Sequence, residues 1–595
     1  MTTTTDSESM TSTMAPAAHG TLPETAHPLG SKAKVLLCGV FGPYAQNDEY
    51  GSRTINPMEL WHNQVTRAQG AFSLREFHRT WGLMFIQANI SARCTCLDFP
   101  SLERFIQEIR DNQYDIVGIS SILPNLLKVK KMCALIRQHL PAATIVVGGH
   151  IANAPRLAEK IDADHIVRGE GIRWFRHFLG EDARQPVRHP VVWGGVNHRA
   201  MGVKLPFNSR NTSALLVPSV GCPMGCGFCS TSAMFGGKGR FVNFYPRAKD
   251  LFAVMCRLEE AMKTRAFFIM DENFLLQRPR ALELLELMRR HEKPWALYVF
   301  SSANALRMYT MDELVGLGVS WVWMGLEGKA SQYGKLKGTD THALVRQLQE
   351  NGIRVLGSSI IGLEEHTPEN IDEAIAHAVS HETDFHQFML YTCVGGTPLY
   401  AEHEARGTLL SEAEIELADT HGQYRFNFRH PHIRDGQETE YLRRAFEEDF
   451  RRNGPSIMRI VRNTLQGWRK HRHHPEARVR DRFAWEIEGM ATMMAGGLWA
   501  SREYLKDSMP QAAARMDESL RDLYRAFGLK SRLVAPILGR YVLWNLGREE
   551  RRLKAGQTWE PPTFYERNYD EPNSPVPATR IQSVSCQAAE APANR

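Results

Sequence analysis

Cys222, Cys226 and Cys229 fall within Gly221-Cys-Pro-Met-Gly-Cys-Gly-Phe-Cys229, directly after the strand-like run Ser213-Ala-Leu-Leu-Val-Pro-Ser-Val220. Three thiolates in so short a loop can bind an iron–sulfur cluster. A cubane has four irons, so three cysteines leave one iron free for a small molecule, as a catalytic metal keeps one open position. The glycines at 221, 225 and 227 allow a tight loop, and Phe228 can shield the cluster from water. A zinc site is the competing reading, but it needs a fourth ligand, and no Cys or His follows at suitable spacing.

The chain around this loop has 595 residues, enough for two to four domains. With 43% hydrophobic and 23% charged residues its composition is that of a globular protein. A net charge of +6 does not call for nucleic acid, and it permits weak attraction to an anionic surface. Ten cysteines are sparse at this length, which argues against a disulfide framework and for a reducing, cytoplasmic setting. The Thr-, Ser-, Ala- and Pro-rich start lacks the basic and apolar regions of a secretory signal, so residues 1–32 are expected to be a disordered leader. No apolar run reaches the length of a membrane span.

Two strand–helix series must position the cysteines. The first has strand-like runs at Lys34–Val40, Asp115–Ser120, Thr144–Gly149 and Asp164–Glu170, with a helix over Leu126–Leu140. After an irregular linker at 186–211, the second begins at Ser213. It continues through Ala266–Met270, Ala296–Ser301, Trp321–Gly325, Arg354–Ile361 and Phe385–Tyr391, with helices such as Arg247–Lys263 and His342–Asn351 between. Six such repeats suggest a partial barrel. Beyond about residue 405, Ser411–His421, Glu438–Asn453, Ile457–His471, Arg480–Lys506 and Met516–Glu550 read as helices. The expected division is α/β for 33–185 and 212–405, helical for 406–570, and a disordered tail at 571–595.

CxxxCxxC with an aromatic before the last cysteine, after the first strand of a partial barrel, resembles the radical SAM superfamily. The resemblance implies a 4Fe–4S cluster on Cys222, Cys226 and Cys229. Its free iron would chelate S-adenosyl-L-methionine (SAM), and one electron would cleave SAM to a 5′-deoxyadenosyl radical that takes hydrogen from an unactivated carbon. Phe267-Phe-Ile-Met-Asp-Glu-Asn-Phe274 resembles the family's second strand, which makes Asp271, Glu272 and Asn273 candidate contacts to the methionine part of SAM; the alternative is an ordinary strand-end loop. Trp323-Met-Gly-Leu-Glu-Gly328 would bring Glu327 to the nucleoside, and the strand beginning at Gly357 would pack near adenine. Gly395-Gly-Thr-Pro-Leu-Tyr400 resembles the turn that closes this core.

Residues 33–185 resemble the Rossmann-like cobalamin-binding domain that precedes one large subclass of these barrels. Asp115-Ile-Val-Gly-Ile-Ser-Ser121, Val146-Val-Gly-Gly-His150 and Arg168-Gly-Glu-Gly171 carry the likeness. It implies that Ser120, Ser121, Gly148 and Gly149 meet the nucleotide tail of cobalamin. One departure stands out: where some relatives have a DxHxxG loop, this chain has Cys38-Gly-Val-Phe-Gly-Pro-Tyr44, without a histidine for cobalt. An empty or repurposed domain is the alternative.

The implied function is cobalamin-dependent methyl transfer to an unactivated carbon of a hydrophobic or lipid-like small molecule, with a one-electron donor such as flavodoxin or ferredoxin. Hopanoid methylases, the anaerobic porphyrin ester cyclase and tetraether-lipid synthases share the architecture. Radical coupling or cyclisation without methyl transfer stays open, as does, more remotely, a non-enzymatic cobalamin or metal sensor. No catalytic residue stands out. The insert Asp48–Arg79 is a candidate cap or a plain surface loop. Arg429 and His430 are candidate anion contacts or capping residues. Trp468-Arg-Lys-His-Arg-His-His474 is either a solvated helix end or a contact to the inner membrane face. The Met-rich run Ala484–Trp499 and apolar Leu533–Leu546 favour a large hydrophobic substrate, against simple core filling.

Overall fold

The computed structural model describes residues 22–44, 48–51, 59–328, 336, 338–570 and 579–586. Five short parallel strands build the first sheet: β1 (Lys34–Cys38), β2 (Arg93–Asp98), β3 (Ile116–Ser120), β4 (Thr144–Gly148) and β5 (His165–Ile166), in the order β2-β1-β3-β4-β5. Val35 to Cys38 are buried on both faces, because helices cover both sides of a parallel sheet. Phe105, Ile109, Met132 and Ile136 pack one face; Leu83, Trp174, Phe175 and Phe178 pack the other. β2 was not expected. Arg-Cys-Thr-Cys-Leu-Asp has no apolar run and only a brief alternation, yet it pairs β1 from Lys34–Arg93 to Cys38–Leu97.

The second sheet holds β6 (Ala214–Leu216), β7 (Ala266–Ile269), β8 (Ala296–Ser301), β9 (Val319–Glu327), β10 (Arg354–Ile361) and β11 (Phe385–Leu390). All are parallel and in sequence order, the partial barrel expected. Side chains alternate across it. In β9, Val322 and Met324 go outward to the main core, while Trp321 and Trp323 turn into the barrel.

The stretch expected as a linker carries strands of its own. Val196–Ala200 pairs with Leu74–Phe77, and His189–Pro190 pairs with Ser583–Val584 from the segment expected as a tail. A further strand, β12 (Phe564–Arg567), runs antiparallel to β2 within the stretch expected to be helical. β12 covers the edge of the first sheet, which would otherwise present unpaired backbone, while the other two pairs form small sheets of their own. Of the expected leader, 22–32 are described: the His27 amide donates to the Phe178 carbonyl, and Gly30–Lys32 form one helical turn. Residues 1–21, 571–578 and 587–595 lie outside the described residues.

Helices dominate the C-terminal region: Gln437–Asn453, Ser456–His471, Ala477–Glu486, Ala495–Leu505 and Pro510–Lys554. Ser411–His421, expected as a helix, holds only the 3-10 turn Leu417–Asp419. The helix expected over Arg480–Lys506 breaks at Gly489, whose φ of 84° leaves helical space. Pro510–Lys554 kinks at Gly528 (φ 64°, ψ −143°). No helix among the described residues is long and apolar enough to cross a membrane.

Candidate functional site

The short strand Ser219–Val220 delivers the chain into the cysteine loop. Gly221 (φ 86°) and Gly225 (φ 67°) make the bends. A Cβ on Gly221 would lie 2.6 Å from Phe235 Cβ, and one on Gly225 2.5 Å from Lys238 Cβ, so both positions exclude a side chain. The Cys229 amide donates to the Cys226 carbonyl at 3.0 Å, and Ser232 Oγ donates to the Cys222 carbonyl at 2.8 Å. Cys229 caps the helix Ser230–Met234, whose Ser232 amide points at its sulfur.

All three cysteines are half-buried free thiols. Burial pushes the Cys222 thiol up to about 12, and Cys229, Glu272 and Cys226 add to the rise, so a thiolate there calls for a cation. Among the described residues, one group of three has ligand atoms all within 4.8 Å: His342, His377 and His381, where His342 and His381 stack at 3.7 Å. Three cysteines without a fourth ligand fall short of the four-ligand set a structural zinc takes. The loop suits a multi-iron cluster better than a single ion.

The end of β7 carries the three expected polar residues, and the fold separates their roles. Asp271 accepts from Ser219 Oγ and pairs with Arg280 at 3.0 Å, fully buried. Asn273 donates to Ser302 Oγ at 2.9 Å and accepts from Ser301 Oγ at 3.3 Å. Both are occupied by the barrel. Glu272 instead lines a cavity beside the cysteine loop, and its Oε2 is buried without a hydrogen-bond partner. Burial, reinforced by Asp271, pushes its carboxyl up to about 8. An orphaned carboxylate oxygen next to the cluster loop fits the ammonium of an amino acid such as the methionine part of SAM.

Glu327 ends β9 buried, with a left-handed φ of 50° just after a register shift at Gly325. Gly357 does not face the lumen. A Cβ there would meet Leu326 Cδ1 at 2.6 Å and Thr383 Cγ2 at 3.0 Å, in the packed layer outside β10.

The cavity beside Glu272 measures about 380 Å³ and spans the two sheets. On one side lie the C-terminal ends of β3 and β4, with Ser120, Gly148, Gly149 and His150; on the other lie Thr231 and Met234 of the cysteine-loop helix. Ligands of open α/β sheets bind at such strand ends. Gly149 (φ 83°) lets the backbones close up: a Cβ there would stand 2.6 Å from the Ser121 carbonyl oxygen. Ser121 itself turns inward, its carbonyl accepting from Ile151 at 3.0 Å, and does not line the cavity. Gly118, inside β3, leaves further room; a Cβ would stand 2.7 Å from Leu37 Cδ2. The small residues and apolar walls suit the close approach of a large ring-bearing cofactor such as cobalamin, of which this space takes only a part. His150 lines this cavity, an imidazole that the DxHxxG comparison misses because it sits after β4 rather than β1.

Other sequence candidates take structural roles. Arg429 pairs with Glu414, and His430 Nε2–H donates to the Leu363 carbonyl at 3.0 Å. Trp468 packs on Phe527 and His471 on Phe483, while Arg469, Lys470, Arg472 and His473 are exposed. The described part of the insert, 48–51 and 59–79, places Trp61 against Phe385 at 5.1 Å under the barrel.

Comparison with known proteins agrees with both halves of this geometry. Residues 73–179 match the B12 binding domain, and residues 216–378 match the radical SAM superfamily. An uncharacterised methyltransferase of Pyrococcus horikoshii is 23% identical over 53% of this chain and 74% of its own length. The bacteriochlorophyllide d C-8(2)-methyltransferase of Chlorobaculum tepidum is 24% identical over 52% of this chain and 73% of its own. The anaerobic magnesium-protoporphyrin IX monomethyl ester cyclase of Cereibacter sphaeroides is 24% identical over 51% and 56%. Among solved structures, the radical S-adenosylmethionine methyltransferase TsrM from Kitasatospora setae, with cobalamin and a [4Fe-4S] cluster bound, overlays at TM-score 0.45 and 16% identity, covering 63% of this chain and 75% of that one. The chain thus carries a B12-binding domain ahead of a radical SAM domain.

Proposed function

We propose that this radical SAM enzyme transfers a methyl group, with cobalamin, to a carbon of an apolar small molecule. One observation carries the proposal: the 380 Å³ cavity is walled by the cobalamin-side strand ends and by the helix and glutamate beside the cysteine loop, so the two sites open into one space. When bound, the cluster with SAM supplies a hydrogen-abstracting radical, and cobalamin supplies a transferable methyl group.

The chain's own residues hold and shelter these groups. Cys222, Cys226 and Cys229 would hold the cluster and Glu272 the SAM ammonium; Ser120, Gly148 and Gly149 would meet cobalamin. Trp81, Phe85, Phe235 and Phe244 line the cavity with apolar surface and keep water from a reactive intermediate. Electrons would come from a flavodoxin- or ferredoxin-type donor.

Peripheral membrane contact belongs to the same proposal. Leu529, Leu533, Ile537, Tyr541 and Trp544 are each more than half exposed along one face of Pro510–Lys554. From Leu523 to Arg548 that helix carries Arg525, Lys530, Arg532, Arg540 and Arg548 and no acidic residue. An apolar stripe flanked by cations alone fits an anionic lipid surface.

The decisive experiment reconstitutes the protein anaerobically with iron, sulfide and cobalamin, adds SAM and reductant, and supplies extracts of a deletion strain of the source organism. Release of 5′-deoxyadenosine together with a product heavier by one methyl group is expected, and Cys226→Ala should abolish both. A coupled or cyclised product without the added methyl would replace methyl transfer with the alternative chemistry.

A further inference from the structure

A second cavity, about 300 Å³, lies inside the barrel toward the N-terminal ends of its strands. The lumen-facing side chains of the sheet make most of its wall: Phe268, Tyr298, Phe300, Trp321, Trp323 and Phe385. Trp61 and Phe72 from the insert, and Ile457 and Ile460 from the helix Ser456–His471, complete it. Phe300 stacks on Trp323 at 4.7 Å, and Trp321 on Phe385 at 5.5 Å. Interiors are ordinarily filled to the density of an organic crystal. So large a space bounded by flat rings is built to receive something flat and apolar.

The wall is polar along Arg210, Asn211, Thr212 and Ser213 and at Glu76 and His198. Glu76, deep in the protein, accepts from His78 Nε2 and from His198 Nδ1, both at 3.1 Å. Burial opposes its ionisation, but the two imidazoles outweigh burial and hold the carboxyl well below its usual range. Glu76 in turn raises His198 above the ordinary histidine value, against the burial that would lower it. A carboxylate can only accept, so the His198 Nδ1 proton is held by Glu76, and Nε2 is the nitrogen left to take up a second proton and donate it to an anionic ligand. That Nε2, buried on a residue only 8% exposed that lines the cavity, has no hydrogen-bond partner. The indole Nε1 of Trp61, also on the wall, is buried and unpartnered too. Buried polar nitrogens are costly to leave unmet, and an acceptor on a ligand would meet them.

The two cavities adjoin along β7. Phe268 lines the second, and Met270, two residues further on the same strand face, lines the first. Trp81, on the wall of the first, stands 6.0 Å from Phe268.

We propose that the second cavity is the recognition pocket for the substrate, a ring-bearing apolar molecule whose carboxylate or carbonyl oxygen accepts from His198 Nε2–H. The assignment as substrate rests on the enzymatic proposal above; the assignment as a binding pocket does not. The apolar body lies under the strand ends, with the reacting carbon extending along β7 toward Glu272 and the cysteine loop.

Calorimetric titration with 2-naphthoate tests it, with 2-naphthylmethylamine as the cation of the same ring. The wild-type chain should bind one equivalent of the carboxylate and reject the amine. The cluster-free variant Cys222→Ala should bind it equally, because none of the three cysteines lines the pocket. His198→Phe should weaken binding at least tenfold with unchanged circular dichroism, and Leu356→Trp, which fills the space, should abolish it. Absence of 2-naphthoate binding to the wild type overturns the pocket; so does equal binding by His198→Phe or by folded Leu356→Trp. If methyl transfer is found and the wild type ignores 2-naphthoate, the pocket falls and the enzymatic reading stands. If 2-naphthoate binds yet no methyl product forms, the pocket stands and methyl transfer falls.

Discussion

His189 Nε2 accepts the Val217 amide at 3.0 Å while its Nδ1–H donates to the Pro190 carbonyl at 2.7 Å. An amide can only donate and a carbonyl can only accept, so this imidazole is neutral and locked in one tautomer. It ties the stretch expected as a linker to the strand that leads into the cysteine loop.

Acid should therefore loosen that strand. Burial pushes His189 down to about 4, and does the same for His386, which sits between the hydroxyls of Ser359 and Thr383. Unfolded, each titrates near 6.5. Between these values the unfolded chain binds more protons, so stability is full above pH 6.5 and falls as pH drops toward 4. Each group contributes about 3 kcal/mol to that loss, at roughly 1.4 kcal/mol per unit. Urea midpoints at pH 4.5 and 7.5 measure it; His189→Gln should remove only the His189 share of the dependence, because His381 and His471 are also pushed down by burial.

Asp271 and Glu272 are adjacent, yet their substitutions should behave oppositely. Asp271→Ala leaves Arg280 buried without its carboxylate and should cost about 3–5 kcal/mol. Glu272→Gln breaks no hydrogen bond at Oε2, so melting temperature should hold while SAM affinity falls about tenfold. Thermal unfolding and equilibrium dialysis with labelled SAM separate the two. Equal SAM affinity in Glu272→Gln would remove Glu272 from the site.

Gly148 and Gly149 make a second such pair. Gly149→Ala brings a Cβ within 2.6 Å of a backbone oxygen at a left-handed φ, and should cost about 2 kcal/mol or more. At Gly148 the nearest atom to a new Cβ is 3.7 Å away, so Gly148→Ala fits the chain. It should keep stability but lose corrinoid, read as cobalamin absorbance per purified chain. Full corrinoid retention by Gly148→Ala would place the cofactor elsewhere.

The exposed stripe predicts salt-sensitive membrane binding. The wild type should sediment with phosphatidylglycerol vesicles and less with phosphatidylcholine ones. Leu533→Glu with Ile537→Glu should stay in the supernatant with unchanged circular dichroism. If vesicles capture neither protein and light scattering shows a dimer that the double variant breaks, the stripe is a contact between copies.

Much of the site was legible because its chemistry is local. Cys222, Cys226 and Cys229 lie on one loop, and the glycines that bend it lie among them. The apolar runs of β1, β3 and β4 and of the barrel strands stand out because both faces are buried. β2 did not stand out: its Cys94, Cys96 and Leu97 are interleaved with Arg93, Thr95 and Asp98, and only burial on both faces makes that a strand. The break at Gly489 was missed because a single left-handed residue leaves the apolar pattern around it intact.

By itself, the sequence determined the cysteine triad on its loop, the order of the two α/β units and the helical character of most of the C-terminal region. These depend on spacing and periodicity within short windows. Tertiary structure alone decided that Glu272 faces the cavity while Asp271 and Asn273 serve the barrel, and that Gly357 points away from the lumen. It also brought Glu76, His78 and His198 around one carboxylate, and returned residues 564–567 and 583–584 to strands laid down hundreds of residues earlier. Such outcomes depend on which groups burial leaves without a partner, and that is settled only when distant segments pack.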